Sequence, residues 1–235
     1  MKISIVIPCY NEASTVGIIA EKAQKAALPA GLDREIIIVD DGSIDGSPEI
    51  IKALAVKYKN IKVSFHDKNY GKGKALSTGF REAAGDMIII QDADLEYDPS
   101  EYEKLAAPIV NGTADVVLGT RFISADIRRV LFFRHYLANK LLTFLCNIFS
   151  NLNLSDIEVG YKVFRKSVLD RLNLREKGFG IEPELVLKTA RLKCRIYEVG
   201  ISYRGRTYEE GKKIRWHDAL KAVVVILKYG LFRIS

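Results

Sequence analysis

Two carboxylates stand two residues apart in Asp92-Ala93-Asp94, separated only by Gln91 from the apolar run Ile88-Ile89-Ile90. The run has the composition of a buried strand, so both acids arrive at a strand's C-terminal end. Magnesium and manganese take oxygen ligands, and magnesium is usually held by one or two carboxylates while waters and substrate phosphates complete its octahedron. Asp92 and Asp94 suit that chemistry. An Asp-x-Asp triplet is also an ordinary polar loop, so the weight of the reading rests on what surrounds it.

The same arrangement recurs along the chain. Ile3 to Ile7 is an apolar run followed by Pro8-Cys9-Tyr10-Asn11-Glu12. Glu35 to Val39 is followed by Asp40-Asp41-Gly42-Ser43, and Ala114 to Leu118 by Gly119-Thr120-Arg121-Phe122. The loop from Asp67 to Ala75 joins Gly71 and Gly73 to Lys68, Lys72 and Lys74, and could dock a phosphate or be a solvated basic turn. It lacks the spacing of a Walker loop. Asp156 and Glu182 are isolated acids of the kind that serve as caps or ion-pair partners. Late in the chain, Arg204 to Lys213 forms a charged, glycine-punctuated loop able to close over an anionic ligand.

The elements that must position these residues alternate in type. Strand patterns at 3–7, 35–39, 61–65, 86–91 and 114–118 are separated by helical patterns at about 14–27, 47–58, 72–85 and 99–110. Ser47-Pro48 and Asp98-Pro99-Ser100-Glu101 mark two of the helix starts, which makes Asp98 structural. Alternation of this kind predicts an α/β fold with a mostly parallel sheet and helices on both faces. In such sheets ligands bind outside the strands' C-terminal ends, where Tyr10 to Glu12, Asp40 and Asp41, Asp92 to Asp94 and Arg121 all lie. Further on, helices are predicted at 127–149, from about Pro183, and at 219–232, with a strand at 195–203.

Composition bounds the partners. The 235 residues are 48% hydrophobic and 28% charged, as in a globular protein, with no repeat or low-complexity tract. The net charge of +7 implies attraction to a nucleic acid, a nucleotide-sugar or an acidic membrane surface. Cys9, Cys146 and Cys194 are isolated, which argues against a disulfide framework or a zinc site. The chain opens on a strand pattern without a cleavable apolar leader, giving a cytoplasmic expectation. No run reaches the length of about 18 apolar residues that a spanning helix needs. Segment 127–149 carries an apolar stripe beside Arg128, Arg129, Arg134, His135 and Lys140, suiting either core packing or a membrane interface. Segment 219–235 leaves the same two alternatives open.

Taken together, these motifs in this order resemble the family 2 glycosyltransferases of the polyprenyl-phosphate sugar synthase type, which includes the dolichol-phosphate mannosyltransferases. The resemblance covers nearly the whole chain. It implies a GT-A (Rossmann-like) fold as one domain over residues 1–235, with candidate interfacial segments at 127–149 and 219–235. It implies an inverting enzyme at the cytoplasmic membrane face, moving a sugar from a nucleoside-diphosphate sugar to a polyprenyl phosphate with magnesium or manganese as cofactor and no nucleic-acid partner. Pro8, Tyr10, Glu12, Val39, Asp41 and Ala93 would line the donor pocket. Asp92 and Asp94 would hold the metal, with Glu96 as a further ligand where relatives often carry glutamine. Arg121 would meet phosphate, and Arg206 and Lys212 the donor diphosphate. Many relatives carry membrane-spanning helices after this domain. Transfer to a sugar hydroxyl is the rival reaction, and would need a carboxylate such as Asp156 as base.

Overall fold

The computed structural model describes residues 1–123, 129, 130, 132–207, 209, 210 and 216–232. Seven strands form its sheet: β1 (Lys2–Cys9), β2 (Asp33–Asp40), β3 (Ile61–Phe65), β4 (Met87–Ile90), β5 (Val116–Thr120), β6 (Lys162–Arg165) and β7 (Ile196–Gly200). The helices are α1 (Val16–Lys25), α2 (Ser47–Lys57), α3 (Lys72–Glu82), α4 (Tyr102–Val110), α5 (Phe133–Ser150), α6 (Lys166–Leu169), α7 (Ile181–Arg191) and α8 (Trp216–Leu231).

Strand order is β3-β2-β1-β4-β6-β5-β7. β1 pairs parallel with both β2 and β4, and β5 parallel with β7, whereas β6 runs antiparallel between β4 and β5. Isoleucine and valine fill β1, β2 and β4 because these strands are covered on both faces. One apolar layer joins α1 and α4 to the sheet through Val16, Ile19, Leu105 and Ile109. The other joins α3, α5, α7 and α8 through Leu76, Leu142, Leu185 and Ile226.

Two consequences matter for the site. Chain order reverses beside β1, whose neighbours are β2 and β4, so the loops after β1 and β4 border one crevice at the sheet's C-terminal edge. The second is β6, which the sequence does not announce: Lys-Val-Phe-Arg is too short to stand out, and its first residue is a lysine. Lys162 is nevertheless fully buried.

The late helices differ in detail from expectation. Residues 124–128 and 131 of the predicted 127–149 helix lie outside the described residues, and α5 runs from Phe133 to Ser150. α8 begins at Trp216, ahead of the predicted start. Gly230 sits where α8 crosses α5: a Cβ there would collide with the ring of Phe149. Close helix contact accounts for that glycine.

Candidate functional site

Glu12 follows β1, and Asp94 and Glu96 follow β4; the crevice brings them together around one cation. Arg206 Nη2 donates to Glu12 Oε1 at 3.4 Å and to Asp94 Oδ2 at 3.3 Å. Its backbone N donates to Glu96 Oε1 at 2.9 Å. The described part of the late loop therefore already lies on the carboxylates. Lys212 is outside the described residues.

Asp92 is held from the other side. Lys72, the first residue of α3, places Nζ 2.7 Å from Asp92 Oδ1 and 2.8 Å from Glu182 Oε1. The second oxygen, Oδ2, lies against Gly160, where a Cβ would overlap it. The loop of Lys72 is not a phosphate cradle in this state. Gly71, at φ +100°, and Gly73 lie tight against the backbone of Glu176 and Lys177, and Lys74 N donates to Lys177 O at 3.0 Å. These glycines serve backbone packing, with Gly71 also needing its positive φ.

The nucleoside-side residues divide. Pro8 and Tyr10 are half-buried at the edge. Asn11 and Glu12 are tied to the loop after β2, since Asn11 N donates to Ser43 Oγ and Glu12 N to Ser47 Oγ. Val39 and Ala93 have their side chains buried in the core. Asp41 is engaged by its neighbours. Its carboxylate lies 2.6 Å from His66 Nδ1 and accepts from Gly71 N at 2.6 Å and Tyr70 N at 3.1 Å, so it organises the 66–71 loop. Asp40 Oδ1, by contrast, is buried with no hydrogen-bond partner among the described residues.

Arg121 and Asp156 form a bidentate pair, with Nε to Oδ2 at 2.6 Å and Nη2 to Oδ1 at 2.7 Å. Asn139 on α5 adds a third bond to Asp156 Oδ1 at 2.8 Å. Burial alone would raise the Asp156 pKa, but Arg121 and Asn139 outweigh it and hold the carboxyl below its ordinary value. A carboxylate so engaged is a poor base. Arg121 lies 4.9 Å from the ring centroid of Tyr203, whose hydroxyl donates to Glu96 Oε2 at 2.8 Å. Tyr203 thus connects Arg121 to the carboxylate cluster, and Glu96 has both oxygens engaged by the late segment rather than directed at a metal.

Asp94 is pushed up to about 7, by burial first and then by the charges of Asp92 and Glu96, against the pull of Arg206. Burial and the two neighbouring carboxylates thus disfavour the ionised form of Asp94. Among the described residues no three His, Cys, Asp or Glu side chains form a closed metal cage. Asp92 and Asp94, two carboxylates at one edge of the sheet, nonetheless fit magnesium or manganese, which complete their shells with water and phosphate. Sequence reasoning missed Lys162, His66, Asn139 and Tyr203, whereas Glu182 is the ion-pair partner that an isolated acid was expected to be. Only Lys162 left a trace, as a lone cation within Val159-Gly160-Tyr161-Lys162-Val163-Phe164.

The model of the family described as Glycosyl transferase family 2 matches residues 4–172. Dolichol-phosphate mannosyltransferase of Pyrococcus furiosus is 31% identical over 97% of this chain, which spans 64% of that relative's length. Undecaprenyl-phosphate mannosyltransferase of Micrococcus luteus is 27% identical over 98% of this chain and 95% of its own. Among solved structures, glucosyl-3-phosphoglycerate synthase from Mycobacterium tuberculosis in complex with Mn2+, UDP-glucose and phosphoglyceric acid superposes with a TM-score of 0.72 at 21% identity, covering 100% of this chain and 81% of that one. The shared architecture is the α/β GT-A fold.

Proposed function

The chain belongs to glycosyl transferase family 2, and from that premise we propose that it transfers a sugar from a nucleoside-diphosphate sugar to a polyprenyl phosphate, with inversion, on the cytoplasmic face of a membrane. Residues 1–235 act as one catalytic domain. The observation that carries the reading is the meeting of Glu12, Asp92 and Asp94 at the β1–β4 crevice, with Arg206 and Lys72 as their counter-charges.

The residues take the following parts. Pro8, Tyr10 and Glu12 border the nucleoside, and Asp41 holds the loop behind it. Asp92 and Asp94 are the residues that would hold a divalent metal, which when bound would neutralise charge on the departing diphosphate. Arg206 exchanges Glu12 and Asp94 for the diphosphate as the donor enters, and Lys212 joins it. In a site closed from water such charges stabilise the leaving group more strongly than they would in solvent. Arg121, oriented by Asp156, receives the acceptor phosphate.

A phosphate monoester is already largely ionised at neutral pH, with a second pKa of about 6, and needs no strong base to attack the anomeric carbon. That agrees with Asp156 being fully engaged by Arg121 and Asn139. The lipid part of the reading is supported by the names of the relatives and by two adjoining helices with exposed apolar stripes. Phe133, Leu137, Leu141, Phe144 and Ile148 are exposed on α5, and Leu220, Val224, Leu227 and Leu231 on α8. Among the described residues no helix is long and apolar enough to cross a membrane.

The test is an assay of labelled nucleoside-diphosphate sugars with extracted polyprenyl lipids, with oligosaccharides, and with no acceptor. Label should enter the organic phase only with the lipid extract. Label carried into oligosaccharide instead would overturn the acceptor class.

A further inference from the structure

Lys72 has a task that its place in a basic loop does not suggest. Its side chain is only 15% exposed, and its ammonium bridges Asp92, at 2.7 Å, to Glu182, at 2.8 Å. Glu182, in the first turn of α7, is almost wholly buried, and its other oxygen pairs with Lys162 at the start of β6. Lys162 is fully buried and also donates to the carbonyl of Val159. The result is a chain of alternating charges, Asp92, Lys72, Glu182 and Lys162, running from the crevice into the interior. Its root is fixed by backbone, because Gly71 and Gly73 let the start of α3 lie against residues 176 and 177.

We propose that Lys72, anchored by Glu182 and Lys162, is a positioning residue that fixes the carboxylate of Asp92 in the orientation needed to engage the donor diphosphate together with a divalent cation. This rests on the glycosyl-transfer reading above and deepens it. A direct grip on the diphosphate by Lys72 is the competing arrangement. It would strip Asp92 of its counter-ion and leave buried Glu182 with Lys162 alone, and taking a partner from a buried charge is costly. Groups that orient a metal-binding carboxylate typically change metal affinity by about 10–100-fold when removed.

Binding of the nucleoside diphosphate by isothermal titration, with and without Mn2+, separates the alternatives without using turnover. Lys72→Met should leave metal-free affinity within about twofold of the parent and cut the gain conferred by Mn2+ by about tenfold or more. Lys72→Arg should restore part of that gain, since it keeps the charge but alters the geometry. Glu182→Gln, which lies behind Lys72 and cannot reach the diphosphate, should lower the gain in the same sense. Should Lys72→Met fail to fold, Lys72→Gln keeps a neutral hydrogen-bond donor beside the two carboxylates and leaves the Glu182–Lys162 pair intact; it should fold by circular dichroism and still lack the Mn2+ gain. Equal loss of affinity with and without Mn2+ would assign Lys72 to the diphosphate and overturn the proposal. So would an unaltered gain in Lys72→Met or in folded Lys72→Gln. A parent protein that binds nucleoside diphosphate with no Mn2+ gain would overturn the metal assignment itself, and the role of Lys72 with it.

Discussion

Glu158 is where burial and charge are most at odds. Although the residue is half-buried overall, its Oε1 is shut off from solvent and accepts no hydrogen bond among the described residues. Burial, then the neighbouring charge of Glu182, pushes its pKa from the ordinary 4.5 up to about 7, against Lys162 and Arg121. Between those two values the folded protein keeps a proton that the unfolded chain has released. The contribution of this group to stability is therefore whole below the unfolded value and is lost as pH rises toward the folded one. Glu158→Gln, which mimics the protonated form, should be more stable than the parent by about 3 kcal/mol at about pH 8 and nearly equal to it at about pH 4. Denaturant midpoints at the two pH values measure this; a constant difference between the proteins would contradict it. At the same scale, the place of Asp92 and Asp94 at the sheet edge was legible because both follow closely on one apolar run. The partners of Asp41, Glu96 and Asp156 were not, because a carboxylate's direction depends on groups brought to it by folding: His66, Tyr203 and Asn139.

At the scale of elements, alternation of apolar runs and helical patterns was enough to place five parallel strands and the sheet edge at which the candidate residues lie; the crevice beside β1 came from the strand order. It could not place β6, since four residues with a lysine at their head carry little periodicity. That strand nevertheless brings Lys162 beneath Glu182 and so ties the site to the interior. The start of α3 makes a sharper point. The glycines of Gly71-Lys72-Gly73-Lys74 look like a phosphate loop in sequence, yet they adjoin the backbone of 176 and 177. A Cβ at residue 73 would clash with the carbonyl oxygen of Glu176, which is backbone and cannot swing away. Gly73→Ala should destabilise the fold by about 1–3 kcal/mol through overpacking and reduce turnover by displacing Lys72. Thermal melting and donor kinetics check both effects, and an unaltered melting temperature would remove the packing argument.

The whole molecule combines a carboxylate-lined crevice with a net charge of +7, so its positive charge is spent elsewhere than on the donor alone. The amphipathic character of the segments forming α5 and α8 was visible in sequence; whether their stripes faced core or solvent was not, and the answer is both. Leu142 and Cys146 of α5 and Ala222, Val225 and Ile226 of α8 are buried, while Phe133, Phe144, Val224 and Leu231 are each more than 60% exposed. Each basic residue near an acidic bilayer contributes about 1 kcal/mol, screened by salt. The protein should co-sediment with vesicles of acidic phospholipid at low ionic strength and less so in high salt, whereas neutral vesicles should retain little of it. Salt-independent binding to both kinds of vesicle would contradict the electrostatic part of this account.

The central claim is that a lipid-borne phosphate is the nucleophile. It is tested most directly by offering the protein a short-chain polyprenyl monophosphate and the matching polyprenyl alcohol with the same donor sugar, and determining the products by mass. The expected product is a glycosyl phosphate from the monophosphate, with a new bond between the anomeric carbon and a phosphate oxygen and the nucleoside diphosphate released, and none from the alcohol. Glycosylation of the alcohol at a comparable rate would contradict it.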